Sequence, residues 1–574
     1  MKKRIYGLET EYAIIHYPEG AEPSQVRILS EADMFELIST VMTKRNYVRL
    51  SETQFHLDRI GSRIVRPHDR INTIALSSVQ DRMFLGNGAR FYLDTGGHPE
   101  YATPECLSPR DVLIYDKAGE RVLEELALAV EEAMREVGYS GEIFVCKNNV
   151  DTRGNTYGCH ENYLMERRRT FFDETNFFRQ IVYKLIPFLI TRQIFCGAGK
   201  IYSGEKIAYQ VSQRADYIDA EISSATTSRR GIVNAKDEPL SHREKYRRLH
   251  LIVGDTNMSE VSSFLKIATT GIVLRLIEEG AIDLDLMLED PVLTIKKVSR
   301  DLSCKKRIKM RKGDRLDPIE IQLLYLELAK RFYAKNPEEL DPQIELALRL
   351  WEEVLYKLAH RPELARGQVD WLLKKWLLDR YLAKHDSSFE ELGKWSFFIK
   401  KLKSFRLESE LVRQQQRDPG FDVREFLKTR LSQIDFIQLD RHAREESIPF
   451  GDYFRIRKIY HGLVERDLRY HDIVRHRSLY YLLQREGVAT PLPDPDFDRD
   501  VERAKTEPPD DTRAKVRGEF VRRMNELGYR GGVRWDAVYI YVDRMKKIDL
   551  LDPFQSTSPH LQATLDSLGR GQRF

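Results

Sequence analysis

The stretch Asn87–Cys106, NGARFYLDTGGHPEYATPEC, decides how this chain is read. In an extended strand, side chains two apart share a face, so Arg90, Tyr92 and Asp94 line one surface while Phe91 and Leu93 pack behind it. Gly96 and Gly97 mark a turn, and His98, Pro99, Glu100, Tyr101, Ala102 and Thr103 follow. A strand that gathers a guanidinium, a phenol and a carboxylate on one face reads as the floor of an active site.

The chain opens on a second strand of this kind. Ile5–Ile15, IYGLETEYAII, puts Glu9 and Glu11 on one face, roughly 6.6 Å apart along the strand, a spacing at which two carboxylates serve two hard cations. Taken singly, each acid has a bland explanation: an edge-strand carboxylate for Glu9, a turn carboxylate for Glu100, a cap for Asp94. Together they do not, because acidic residues are depleted in strand interiors and Glu9, Glu11, Asp94 and Glu100 all stand among apolar neighbours. A carboxylate-bound magnesium site is expected.

Further along, Gly119–Gly138 carries apolar residues at helical spacing and stops on a glycine. Glu142–Val150 reads as a strand, Tyr157–Leu164 as another with His160 and Asn162 on one face, and Arg248–Val253 as a third with His250 opposite a leucine pair. The two histidines read equally well as satisfied core residues or as ligands of a second cation or a phosphate. Asn176–Cys196 is expected as a helix kinked at Pro187, and Ser259–Gly280 as an amphipathic helix stopped by glycine. From Asp317 to Tyr481 the pattern is helical and charged, with apolar stripes at Trp351, Trp371, Leu372, Trp376 and Leu377. Thr490–Asp498, TPLPDPDFD, is a breaker sequence suited to a linker. Beyond it, Trp535 either packs a small unit or stacks on an adenine ring.

At 574 residues and 67.3 kDa the chain exceeds the size of a single growing core, so two domains are expected. Its 93 basic residues nearly balance 89 acidic ones, for a net charge of +4, which does not call for nucleic acid. The densest basic run, Lys296–Arg315, lacks the interleaved aromatics of a single-strand stacking platform and reads as a solvated hairpin. No apolar run reaches the roughly 18 residues a membrane span needs, and Glu9 and Glu11 interrupt what would have to be a signal-peptide core. A cytoplasmic protein is expected. Cys106, Cys146, Cys159, Cys196 and Cys304 form no CxxC pair and are read as buried, reduced thiols.

Three familiar motifs fail. Gly197–Lys200 would need glycine where Ile194 stands and a hydroxyl where Ile201 stands to be a phosphate loop. His160–Glu161 has Leu164 where a zinc-protease helix needs its second histidine. No GxSxG nucleophile elbow occurs. Nucleotide chemistry must therefore rest on dispersed carboxylates.

The segments IYGLETEY, NGARFYLDTGGHPEYATPEC, KNNVDTRGNTYGCHENYL, CGAGK, SSATT, DEP, KYRRLHLIVGDTNMSE, YHDI and RAKVRGEF run in this order along most of the chain. They resemble the Pup ligase and Pup deamidase family of glutamine-synthetase-like carboxylate-amine ligases. The resemblance implies an α+β fold in which a curved antiparallel sheet, covered by helices, cradles ATP and magnesium. It implies a catalytic domain over 1–489, with insertions near 17–82 and 384–468, and a small C-terminal domain over 490–574. It makes Glu9, Tyr92 and Glu100 magnesium ligands, Arg90, Thr103 and Trp535 ATP contacts, and Asp94 the catalytic base.

The activity implied is ATP-dependent ligation of the C-terminal glutamate of a Pup-like (prokaryotic ubiquitin-like) protein to substrate lysines, through a glutamyl phosphate, marking them for a bacterial proteasome. The alternative is the sibling hydrolase, which cleaves the isopeptide bond or the C-terminal glutamine of the same modifier. The long segment Tyr17–Arg82 points to the hydrolase branch, which carries an extra loop there; Cys159, CGAGK, SSATT and NMSE read as ligase-like and weigh more.

Overall fold

The structure, a computed structural model, describes residues 3–18, 48–51, 82–94, 96–136, 141–151, 154–167, 181–203, 206–527, 529–541 and 544–570. Most of the insertion expected near 17–82 lies outside the described residues, as do residues 176–180 of the helix expected over Asn176–Cys196 and the last two of that over Gly119–Gly138.

The centre is a nine-stranded sheet of β1 (Tyr6–Glu11), β2 (Val48–Ser51), β3 (Arg82–Leu85), β4 (Arg90–Leu93), β5 (Pro99–Ala102), β6 (Cys159–Glu166), β7 (Ile218–Ser223), β8 (Arg230–Asn234) and β9 (Tyr246–Leu251), in the order β7-β8-β9-β6-β1-β5-β4-β3-β2. Neighbours are antiparallel except β7 and β8, so the sheet expected as wholly antiparallel has one parallel pair at its edge. Ile5–Ile15, read as one strand, is two. Tyr12 donates its N–H to Pro99 O at 2.8 Å and buries its ring with Phe91 and Tyr101; past it, Ala13–Pro18 leaves the sheet and pairs with Gly141–Cys146. The strand expected over Glu142–Val150 ends at Cys146 for the same reason: its partner has run out.

Helices cover the back of the sheet. Pro109–Glu136 begins ten residues before the expected Gly119, since Ser108 Oγ accepts from Asp111 N at 3.0 Å and caps it. Gly119 is instead where the helix meets the sheet: a Cβ there would lie 2.5 Å from the Tyr101 ring. Thr10 Oγ1 donates to Asp116 Oδ1 across the same junction at 3.1 Å. Glu260–Glu278, capped by the Ser259 hydroxyl, is buried at every position. The amphipathic face expected for it does not exist, because it packs between Pro109–Glu136 and the helices Pro318–Lys335 and Pro342–His360. Pro187 stands in the first turn of Ile186–Thr191, behind a π-helical turn at Ile181–Leu185, so it starts that helix, where its missing N–H is no loss. The basic run Lys296–Arg315 splits between the end of helix Pro291–Ser299 and a short ladder pairing Ile308–Lys309 with Arg315–Leu316.

A three-stranded sheet of β10 (Arg530–Arg534), β11 (Ala537–Tyr541) and β12 (Met545–Asp549) joins helices Arg513–Glu526 and Pro559–Gly569 around its own apolar cluster of Phe520, Val533, Val538, Ile548 and Leu565, which also takes in Phe84 from β3. Leu492 and Phe497 pack into the large core. Helix Arg513–Glu526 lies directly on the turn before β4. Gly88 (φ +79°) has room for no Cβ, which would sit 2.9 Å from Ala514 O, and one on Gly518 would collide with Gly86 O; glycine is what admits this approach. All five cysteines are free and buried. No helix among the described residues is long and apolar enough to cross a membrane.

Candidate active site

Strand register builds the site. Across β4, β5 and β1, Tyr92 stands opposite Glu100 and Glu100 opposite Glu11. In the adjacent row Arg90 faces Ala102, Ala102 faces Glu9, and Glu9 faces His160 on β6. One row further, Asn162 faces His250 on β9. Because side chains alternate along each strand, these rows share the face opposite Thr10 and Tyr101, and there they line a cavity of about 910 Å³. Glu9, Arg90, Tyr92, Asp94, Glu100 and Trp535 all line it, as do Glu11, His160 and His250. Thr103, just past the end of β5, is not among the residues that line it: it is only 4% exposed, and its hydroxyl accepts from Leu8 N at 3.0 Å.

The acids are packed closely. Glu11, Glu100 and His160 offer ligand atoms within 4.8 Å of one another, and so do Glu9, His160 and His250. His160 Nδ1 donates to Glu9 Oε2 at 3.1 Å and Asn162 Nδ2 to Glu9 Oε1 at 3.2 Å. His98 Nδ1 donates to Glu11 Oε2 at 2.7 Å while its ring stacks on Tyr157, and the Tyr92 hydroxyl donates to Glu100. Burial opposes the charge of Glu9, but the His160 hydrogen bond and the nearby Arg248 guanidinium outweigh it and hold Glu9 below the usual carboxylate range. Glu11 goes the same way, through burial opposed by His98 and His160. Glu100 is pushed well above the range by burial and then by the repulsion of Glu9 and Glu11. His250 is buried with neither ring nitrogen hydrogen-bonded, and burial, then Arg248, drive it toward the neutral imidazole.

Three carboxylates crowded in one buried cluster, beside a neutral histidine with free ring nitrogens, make a donor set that fits hard divalent cations. Two groups of side chains could each hold one: Glu9 with His160 and His250, and Glu11 with Glu100 and His160.

Asp94 closes strand β4. Its Oδ1 accepts from Gly96 N at 2.8 Å and His98 N at 2.9 Å, and burial, then Glu11, raise its proton affinity. That combination, a fixed carboxylate with a raised pKa at a cavity wall, suits a general base. The cavity is also lined by cations that sequence reasoning did not single out: Arg214, Arg230, Lys236 and Arg248, the last 3.9 Å from Glu9. Arg248 shares strand parity with His250 and was legible on that ground; Arg214 and Lys236 lie outside strands and gave no periodic signal. Arg90 lies 4.4 Å from the centre of the Tyr92 ring and 5.5 Å from that of Phe84. Trp535, on the β10–β11 turn, meets Phe84 edge-on at 5.1 Å and completes this wall.

Comparison with known proteins gives this geometry a family. A Pup-ligase protein family model matches residues 4–404 and 457–539, and a Pup--protein ligase of a Nocardioides species is 37% identical over 488 residues, 85% of this chain and 90% of that protein. The chain belongs to the Pup-ligase family. The Pup-ligase match skips residues 405–456, which fall within the helical stretch 384–468. A Pup--protein ligase of Kribbella flavida is 36% identical over 571 residues, 99% of this chain and 100% of that protein. Among solved structures, Pup ligases again match: the crystal structure of the complex between the prokaryotic ubiquitin-like protein Pup and its ligase PafA has a TM-score of 0.73 at 25% identity, covering 99% of this chain and 92% of that one. PafA in complex with ADP has a TM-score of 0.69 at 28% identity, covering 90% and 94%.

Proposed function

We propose that this chain is an ATP-dependent Pup ligase, which joins the side-chain carboxylate of the C-terminal glutamate of a Pup-like protein to lysines of protein substrates. The observation that carries the reading is that three separate stretches, contributing Glu9, then Arg90, Tyr92, Asp94 and Glu100, and then Trp535, line one cavity, in a chain whose relatives bear the ligase name.

A carboxylate resists amines, so it must first be activated. Its oxygen takes the γ-phosphoryl group of ATP and ADP leaves; the amine then attacks the acyl carbon, phosphate leaves, and an isopeptide bond remains. Magnesium bound at the carboxylate cluster would screen the triphosphate charge. Arg90 would draw off charge developing on the transferred phosphoryl group, and Arg214, Arg230 and Arg248 line the same cavity. Trp535 supplies an aromatic wall for the adenine. For Thr103, buried beside β1 with its hydroxyl on Leu8 N, we propose that its part in nucleotide binding is to hold the Leu8–Glu9 backbone. A lysine of ordinary pKa near 10.4 needs about 4 to 5 kcal/mol to shed its proton at pH 7, and Asp94 is the group placed to take it. The C-terminal unit, divided from the catalytic part near residue 490 by sequence, contributes Trp535. A cytoplasmic setting fits an enzyme that consumes ATP and feeds a bacterial proteasome, and neither nucleic acid nor membrane enters the scheme.

The test mixes protein, magnesium, ATP and a Pup-like protein ending in glutamate with a lysine-bearing acceptor, beside an Asp94→Asn control. A covalent adduct with one ADP released per adduct is expected. A wild type that cleaves a preformed conjugate and makes none would replace this reading with the hydrolase, which the ligase-named relatives do not favour.

A further inference from the structure

We propose that Glu105, Arg513 and Arg517 form a positioning clamp that sets the nucleotide-facing wall of the cavity, so that nucleotide affinity depends on an ion cluster that touches no reacting atom. This rests on the reading of Trp535 as a nucleotide contact.

Arg513 and Arg517 stand one turn apart on helix Arg513–Glu526, and both reach Glu105, three residues past the end of β5. Arg517 forks onto the carboxylate, Nη1 donating to Oε1 at 2.9 Å and Nη2 to Oε2, while Arg513 Nε donates to Oε1 at 2.8 Å. All three are buried, Arg517 completely. Other guanidinium N–H groups go to carbonyls of the cavity walls and their supports, with Arg517 Nε left without a partner among the described residues. Arg517 Nη1 donates to Trp535 O at 3.0 Å and Nη2 to Gly88 O at 3.3 Å, and Arg513 Nη1 donates to Leu240 O at 2.7 Å and Leu550 O at 2.8 Å. Trp535 and Leu240 both line the cavity, and Gly88 leads into Arg90.

Two features go beyond a plain structural tie. The Arg517 guanidinium also lies 4.9 Å from the centre of the Trp535 ring, so it contacts both the backbone and the indole of the same residue. Leu240 holds φ +47°, a left-handed conformation unfavourable for a non-glycine residue, and the Arg513 hydrogen bond to its carbonyl secures it. One carboxylate thereby fixes the Trp535 turn, the Leu240 wall and the turn before Arg90 through two side chains whose planar forks lysine cannot copy.

The experiment measures KM for ATP and kcat for adduct formation in the full chain for the wild type, Arg517→Lys, Trp535→Ala and the double variant, with melting temperatures alongside. Trp535→Ala is expected to raise KM about tenfold, and Arg517→Lys about as much with kcat within roughly threefold. The double variant should then be no worse than Trp535→Ala alone, within about threefold, because both remove the same wall. Glu105→Gln, which keeps the size of the anchor, repeats the measurement if Arg517→Lys does not fold. An unchanged KM in Arg517→Lys and Glu105→Gln, or a double variant near a hundredfold with the two effects multiplying, overturns the clamp. If Trp535→Ala itself leaves KM unchanged, the nucleotide-wall reading fails first and takes the clamp with it.

Discussion

Nδ1 of His98 lies 2.7 Å from Oε2 of Glu11, and the backbone N–H of the same histidine donates to Asp94 Oδ1 at 2.9 Å. One residue past the double-glycine turn therefore ties the proposed base to the carboxylate cluster. Replacing its side chain frees Glu11, while the backbone N–H that holds Asp94 remains. His98→Ala should lower kcat for adduct formation by about tenfold or more with KM for ATP little changed, and His98→Gln, which keeps a donor, should recover part of the loss. Steady-state kinetics of the two variants check this.

Asp94→Asn keeps the two turn hydrogen bonds to Oδ1 but cannot accept a proton. Adduct formation should fall by about 10²- to 10⁴-fold, while ADP affinity, measured by calorimetry, stays near that of the wild type. A matching loss of ADP affinity would mean that Asp94 serves nucleotide binding instead.

The carboxylate cluster predicts a metal effect that does not depend on turnover. Magnesium binding to the folded state alone should raise the melting temperature of the wild type, by about 2.7 kcal/mol of stability at a hundred times the dissociation constant. Glu9→Gln should blunt that rise, and Glu100→Gln, which removes the most strained carboxylate, should shift it to higher magnesium. Thermal unfolding with and without the metal and a chelator reads this directly.

Glu105 gives a pH prediction. Burial works against its charge, but Arg517 and Arg513 pull it down to about 2, against an unfolded value near 4.3. A depressed acid contributes stability that is fully present above the unfolded value and is lost as pH falls toward 2, on the order of 3 kcal/mol in all. Denaturant titrations at pH 7 and at about pH 3 should show a wild type that loses more stability than Glu105→Gln over that interval.

Much of this site was legible before any coordinates. The alternation at Arg90, Tyr92 and Asp94, and at Glu9 and Glu11, named one cavity face, and His160, Asn162 and His250 fell on that face by the same parity. The helix over Glu260–Glu278 was legible as a helix but not in its environment, since its burial on all sides comes from neighbours far along the chain. Thr103 carried a role from family resemblance alone; it lies past the end of its strand, where alternation no longer reads a face, and its hydroxyl accepts from the Leu8 backbone. Arg214 and Lys236 gave no pattern because they sit in irregular segments, where no period of two or 3.6 exists to be read.

Side-chain alternation belongs to each strand alone, so the amino-acid order determined which residues of a strand lie together and which oppose them. Which strands become neighbours, in what register, and that a helix more than four hundred residues beyond Glu105 would bring two arginines onto it, depended on long-range packing. Carboxylates from β1 and β5 form one cluster because antiparallel pairing puts Glu11 beside Glu100, a relation that exists only after the chain has closed on itself.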